Sequence, residues 1–279
     1  MNPNWRDVIS TFAAGTGHEI EVVDLTAGRT AWPSGGEPAA LLVQQPNYLG
    51  CIEDLEVARR IAGETGALLL VAFDPVAAGL LRSPGELGAD VVVGEGQPFG
   101  TPLSFGGPYL GLFASTMQHV RRLPGRLVGE TVDSEGRRAY VTTLRTREQD
   151  IRREKASSNV CTNQTLIAVA CAVQLAWLGT PGLRELALRC ARGTRYTREL
   201  LLGIDGVEPL SDAPVLREFA VTTPVVGDVV VERMAEEGFL AGIALGPEYV
   251  DNGLVVAVTE RRTREEIDAY AAAFEKVIR

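Results

Sequence analysis

The stretch "ALLVQQPNYLGCIEDLEVARRIAGETGALLLVAFD", Ala40–Asp74, decides the fold. Its ends, "ALLVQQP" and "ALLLVAFD", are apolar runs of strand length. Between them "EDLEVARRIAGETG" repeats its apolar residues at helical spacing until Gly66 stops it. Strands that are continuously apolar and separated by helices indicate a parallel-rich sheet covered on both faces. Working outward, "WRDVISTFAAG" from Trp5 reads as a helix ending near Gly15, "EIEVVDL" (Glu19–Leu25) as a strand, and "ADVVVGEG" and "YLGLFAS" as two more strands. This is an α/β domain.

In such open sheets ligands bind at the carboxyl ends of the strands. Those ends carry Gln44, Gln45 and Asn47, then Asp74, then Glu95 and Gln97. After the last of them the loop "GEGQPFGTPLSFGG" has glycine at 94, 96, 100, 106 and 107, and offers Glu95, Gln97, Thr101 and Ser104 as its polar side chains. Glycine lets backbone approach a ligand closely. The loop therefore reads as a cradle with no lysine, cysteine or histidine to attack what it holds. It is not a dinucleotide turn, because Pro98 interrupts the glycine pattern, and no lysine-bearing phosphate loop occurs.

Beyond Ser115 a basic amphipathic helix containing His119 leads through the turn-rich "TVDSEGRRAY" to "RTREQDIRREK" (Arg145–Lys155), which reads as a charged, solvated helix with a Thr146–Gln149 capping box. No charge falls between Ser157 and Leu183. Asn159, Thr162, Asn163, Gln164, Gln174 and Pro181 interrupt that run, so it reads as a buried helix over Thr162–Leu178 rather than a membrane span. A second helix follows over Gly182–Gly203. "LREFAVTT", "VVVERMAEEG", "GLVVAVTE" and "TREEIDAYAAAFEKVI" then alternate strand and helix, the last opened by a Thr263–Glu266 capping box. The expected division is a large domain over 1–145, and connecting helices with a small α+β domain over 146–279.

Composition removes several function classes. The 279 residues are 46% hydrophobic and 23% charged, with a net charge of -9, which argues against nucleic acid. Four scattered cysteines, Cys51, Cys161, Cys171 and Cys190, fit a reducing cytoplasm. His18 and His119 are the only histidines, and no spacing suits a metal. Just two of the 27 basic residues are lysine, Lys155 and Lys276, and neither lies in the rim. Asp74 stands where a carboxylate could pair with a pyridine nitrogen, but pyridoxal chemistry also needs a lysine. On the residues alone, autonomous pyridoxal catalysis is not expected. A small-ligand site built from Gln45, Asn47, Asp74, Glu95 and Gln97 stays open, as does a purely structural or inactive fragment.

Four segments, "LVQQPNYLGCIEDLE", "VVVGEGQPFGTPLSFGGPYLGLFA", "LPGRLVGETVDSEGRRAYVTTLRTREQDIRREKASSNVCTNQ" and "LVVAVTERRTREEIDAY", resemble the alpha-subunit branch of the glycine cleavage system P-protein, glycine dehydrogenase (decarboxylating) subunit 1. The resemblance runs essentially end to end. It implies part of a fold-type I pyridoxal phosphate-dependent transferase large domain, mostly parallel, followed by a small α+β domain. It also implies an α2β2 assembly with a beta subunit that carries the pyridoxal lysine, glycine as substrate, and the lipoyl H-protein as acceptor. Set against the beta subunit's lysine loop, Gln97 stands in the lysine's place and Asp74 in that of the pyridine-nitrogen aspartate. Asp74, Glu95, Gln97, Thr101 and Ser104 are then a degenerate cofactor site, and no residue is catalytic. Family members begin with a longer N-terminal portion, so this chain is expected to be a truncated reading frame, the alternative being that another chain supplies the missing piece.

Overall fold

The computed structural model describes residues 1–32, 35–123, 125–156 and 164–279, the side chain of 147 aside. Helix α1 (Pro3–Ala13) starts where the Asn2 side chain accepts the Asn4 N–H, and leaves Trp5, Val8 and Phe12 exposed. Strands β1 (Leu25–Thr26) and β2 (Arg29–Thr30) form a minimal hairpin. Then β3 (Ala40–Gln45), α2 (Leu55–Thr65), β4 (Leu68–Phe73), β5 (Val91–Glu95) and β6 (Gly111–Ser115) build a four-stranded sheet in the order β3-β4-β5-β6. β3, β4 and β5 are parallel, and β6 closes the edge antiparallel. The Asp54 carboxylate caps α2 by accepting the Glu56 and Val57 N–H groups, and Gly66 ends it in the left-handed conformation. α2 buries Leu55, Ala58 and Ala62 against Leu41, Val43, Leu69 and Val71.

An antiparallel hairpin, β7 (Leu127–Val132) and β8 (Arg138–Thr143), follows, then the single turn α3 (Gln149–Arg152). Helix α4 (Thr165–Leu202) breaks at Gly179, whose φ of 58° and ψ of -178° only glycine adopts readily, just ahead of Pro181. β9 (Glu208–Pro209), β10 (Glu218–Thr222), α5 (Gly227–Glu236), β11 (Ile243–Ala244), β12 (Gly253–Ala257) and α6 (Arg264–Ile278) complete a second sheet in the order β11-β12-β10-β9, antiparallel throughout. The Thr263–Glu266 capping box is present at α6. The end of α4, α5 and α6 cover this sheet around Phe219, Val230, Met234, Leu254 and Phe274.

The loop after β3 meets the second sheet closely. Leu49 and Cys51, in the loop after β3, pack with Ala220, Leu245 and Val255 of the second sheet. Gly50 has a φ of 82° and lies so close to the Glu218 carbonyl that any Cβ there would collide with it.

The structure departs from the sequence-based expectations at four places. Glu19–Leu25 is not a strand: only Leu25 is paired, and Ile20 and Val22 are exposed, because a strand forms only against a neighbour. The segment holding His119 is a short 3-10 turn, Met117–Arg122, not a helix, and the turn-rich region after it is the β7–β8 hairpin. Arg145–Lys155 is broken into single turns; Glu148 occupies the α3 N-cap position without a side-chain cap bond, so the Thr146–Gln149 box does not form. The first half of α4 is buried on one side only: Cys171 is covered, while Leu166 and Trp177 are each 83% exposed. The preceding residues, 157–163, with Cys161, lie outside the described ones.

Candidate functional site

The rim side chains mostly turn inward. Gln45 pairs both backbone groups of Glu53, accepting its N–H at 2.7 Å and donating to its carbonyl at 3.2 Å. Asn47 donates to the Gly28 carbonyl and to Glu53 Oε1, and accepts the Leu49 and Cys51 N–H groups. Glu53, 5% exposed, also accepts the Thr30 N–H and hydroxyl. Gln44 accepts the Asn2 N–H. These amides hold loops together rather than facing a ligand, so no small-ligand rim forms from them.

Asp74 follows β4, its N–H held by the Gln45 carbonyl at 2.9 Å. Its Oδ1 accepts the Val76 N–H at 3.0 Å, capping the 3-10 turn Pro75–Gly79. Its Oδ2 lies 2.6 Å from Arg217 Nε, both side chains being mostly buried. This contact is an ion pair and not an aligned hydrogen bond, since the Nε–H does not point at the oxygen. The neighbouring Glu218 carboxyl is pushed up chiefly by burial, with Asp74 adding and Arg217 opposing. Sequence reasoning missed Arg217 and Glu53, because nothing in their local spacing signals a partner from another element.

The glycine loop ties itself shut. Glu95 Oε1 accepts the Gln97 N–H at 3.0 Å and the Leu110 N–H at 2.9 Å, joining both ends of the loop. Ser104 donates to the Gly106 carbonyl, and is exposed. Thr101 Oγ1 is buried with no hydrogen-bond partner. Gly100, with a φ of 81°, sits against the Ala170 carbonyl of α4, where a side chain would clash. Phe99 and Leu110 pack with Val76, Cys171 and Cys190, so loop, turn and α4 form one small core. Its thiol Cys190, beside Glu260 Oε2, is pushed up to about 11 by burial and then by that carboxylate.

The structure thus brings Asp74, Glu95 and Gln97 to one end of the sheet and leaves Ser104 at the loop surface. A glutamine amide forms no imine, and both Asp74 oxygens are engaged. These residues do not fit a covalently held pyridine cofactor. Among the described residues no cluster suits a metal ion. An open groove of 360 Å³ lies elsewhere, between α4 and the loop before α6, with Arg189, Arg192, Tyr196 and Arg264 in its walls.

Against known proteins, the sequence profile of the family described as "Glycine cleavage system P-protein" matches residues 1–274. The chain belongs to the glycine cleavage system P-protein family. Among curated P-protein relatives, the "Probable glycine dehydrogenase (decarboxylating) subunit 1" of Moorella thermoacetica is 46% identical over all of this chain and 64% of its own length. The protein of the same name from Chlorobium limicola is 48% identical over 98% of this chain and 63% of its own. A crystal structure of glycine decarboxylase (P-protein) of the glycine cleavage system, in inhibitor-bound form, superposes with a TM-score of 0.95 at 41% identity, over 99% of this chain and 64% of that one. The chain therefore spans just under two thirds of the P-proteins it matches. A sphingosine-1-phosphate lyase from Burkholderia pseudomallei (16% identity, TM-score 0.66) and an alanine–glyoxylate aminotransferase from Nostoc sp. (20%, 0.59) share the fold alone. The fold is that of the fold-type I pyridoxal phosphate-dependent enzymes.

Proposed function

We propose that this chain is a subunit, or the larger part of one, of a glycine cleavage P-protein, and that it supports glycine decarboxylation without holding the cofactor covalently. The holoenzyme uses pyridoxal phosphate to release carbon dioxide from glycine and passes the aminomethyl group to the lipoyl arm of the H-protein. In this reading the pyridoxal lysine belongs to a partner beta subunit, the assembly is α2β2, and it works in the cytoplasm. The observation that carries the reading is family membership together with the altered strand end: Gln97 on the glycine loop, and Asp74 paired to Arg217.

Within that assembly the chain's own residues do structural work. Glu95 holds the loop closed, Gly100 lets it lie against α4, and Gly50 lets the second sheet meet the strand ends. The surface supports a partner as well. The chain exposes 16923 Å², against about 11,700 Å² expected for a compact monomer of its mass. The apolar side chains Leu166, Val169, Val173 and Trp177 form one exposed stripe along α4, with Leu103 and Phe105 of the glycine loop also exposed.

The test mixes this chain with a lysine-bearing P-protein subunit in the presence of pyridoxal phosphate. The expected result is a growth or shift of the visible cofactor band on mixing, with glycine-dependent release of carbon dioxide, in the presence of lipoyl H-protein, appearing only in the mixture. No change on mixing overturns the proposal.

A further inference from the structure

Where an aspartate is the partner, a protonated pyridine nitrogen needs a carboxylate whose charge is available to it. At the end of β4 each oxygen of Asp74 already has a partner: one accepts the Val76 N–H, and the other meets the Arg217 guanidinium, which balances the carboxylate charge. Arg217 does not come from the sheet that carries Asp74. It immediately precedes β10, and its carbonyl accepts the Val258 N–H at 2.8 Å, so the second sheet fixes where its side chain starts. A guanidinium keeps its charge at every physiological pH, so the pairing is permanent unless the side chain moves. To move it would strand Asp74 as a mostly buried, uncompensated carboxylate, beside a Glu218 carboxyl that burial already disfavours as an anion.

We propose that Arg217 occupies the cation position of this strand-end cradle, and that it excludes pyridinium-type cofactors independently of the missing lysine. The site is then closed twice, by Gln97, which cannot bond covalently, and by Arg217, which already neutralises the acid. Restoring a lysine alone leaves the second closure in place. The inference rests on the reading of Asp74 and Gln97 as an altered cofactor cradle. It is tested on the chain alone, without the partner subunit, so its failure leaves the subunit proposal standing.

The experiment compares Gln97→Lys with Gln97→Lys/Arg217→Met, each titrated with pyridoxal phosphate, followed by visible absorbance and by borohydride trapping with peptide mapping. Mapping separates an adduct at position 97 from adducts at Lys155, Lys276 or the amino terminus. The double variant is expected to bind about tenfold or more tightly than the single one, with the adduct at position 97. Adding Asp74→Asn to the double variant should abolish that gain, a result that a merely looser fold would not give. Circular dichroism melts accompany each variant; if Arg217→Met lowers the melting point steeply, Arg217→Gln removes the charge with a smaller change of shape and is used in its place. Equal affinity of the single and double variants, or a double variant with no adduct at position 97, overturns the proposal.

Discussion

Glu53 is a buried carboxylate that accepts from three donor groups, the Thr30 N–H and hydroxyl and the Asn47 amide, while Gln45 brackets its backbone. A Glu53→Gln change keeps the shape but turns one acceptor into a donor facing other donors. It should cost about 1–3 kcal/mol, read as a lower urea midpoint. The same logic separates structure from chemistry at Asp74. Asp74→Ala leaves Arg217 unpaired and should lower stability by about 1–3 kcal/mol. In the proposed complex, glycine turnover at a temperature where both forms are folded should change less than about twofold, because both Asp74 oxygens are held by groups of this chain. A large fall in turnover there would give Asp74 a part in the reaction. Cys190 supplies a pH signature. Its thiol, ordinarily near 9, is pushed up to about 11 by burial and Glu260, so the folded state favours the neutral form. That contribution is fully present below pH 9 and is lost as pH rises from 9 through 11, amounting to roughly 2–3 kcal/mol, and Cys190→Ala should flatten the decline in melting temperature over that window.

Elements set by local pattern were legible; elements set by a distant partner were not. The α2 sequence carries its own stop at Gly66, and α6 its own capping box, so both match their expected bounds within a residue or two. Thr263→Ala should accordingly destabilise α6 by about 1 kcal/mol without moving any other element. Glu19–Leu25 has a strand-like pattern but is paired only at Leu25 among the described residues, and Arg145–Lys155 has helical composition but is broken into single turns. The rim amides show the limit most sharply, because sequence placed Gln45 and Asn47 at strand ends correctly while saying nothing of their inward direction. Helix α4 is apolar on two sides, which sequence could only read as burial. In the structure Cys171 and Ile167 face the core near Phe99, while Leu166, Val173 and Trp177 face outward. By length and composition its first half also passes as a membrane span, yet Gly179 breaks the helix and the second half carries several arginines. A helix hydrophobic on both sides wants cover on both. Replacing Leu166, Val173 and Trp177 together by glutamine should leave far-ultraviolet circular dichroism unchanged, reduce binding of a hydrophobic dye to the lone chain, and weaken its association with the proposed partner subunit by about tenfold or more.

For the whole molecule, surface area decides what folding alone can achieve. A chain of 29.9 kDa exposes about 43,000 Å² when unfolded and would bury about 32,000 Å² as a compact monomer. With 16923 Å² still exposed, this one buries about 26,000 Å², nearly a fifth less. The shortfall coincides with exposed apolar groups on α1, the glycine loop and α4, and with β3 and β6 each having one edge unpaired among the described residues. The denaturant dependence of unfolding scales with the area exposed, so the urea m-value of the chain alone should fall below that of a compact 279-residue protein in the same proportion. Covering those faces adds to the surface released on unfolding, so the m-value should rise when the chain unfolds from a complex with the proposed partner subunit. The midpoint should rise too, by an amount that grows with partner concentration, as binding to the folded state alone requires. An m-value already typical of a compact protein of this length, with a midpoint indifferent to the partner, would mean that the exposed faces cover one another in the free chain, and that no second polypeptide is needed to complete the fold.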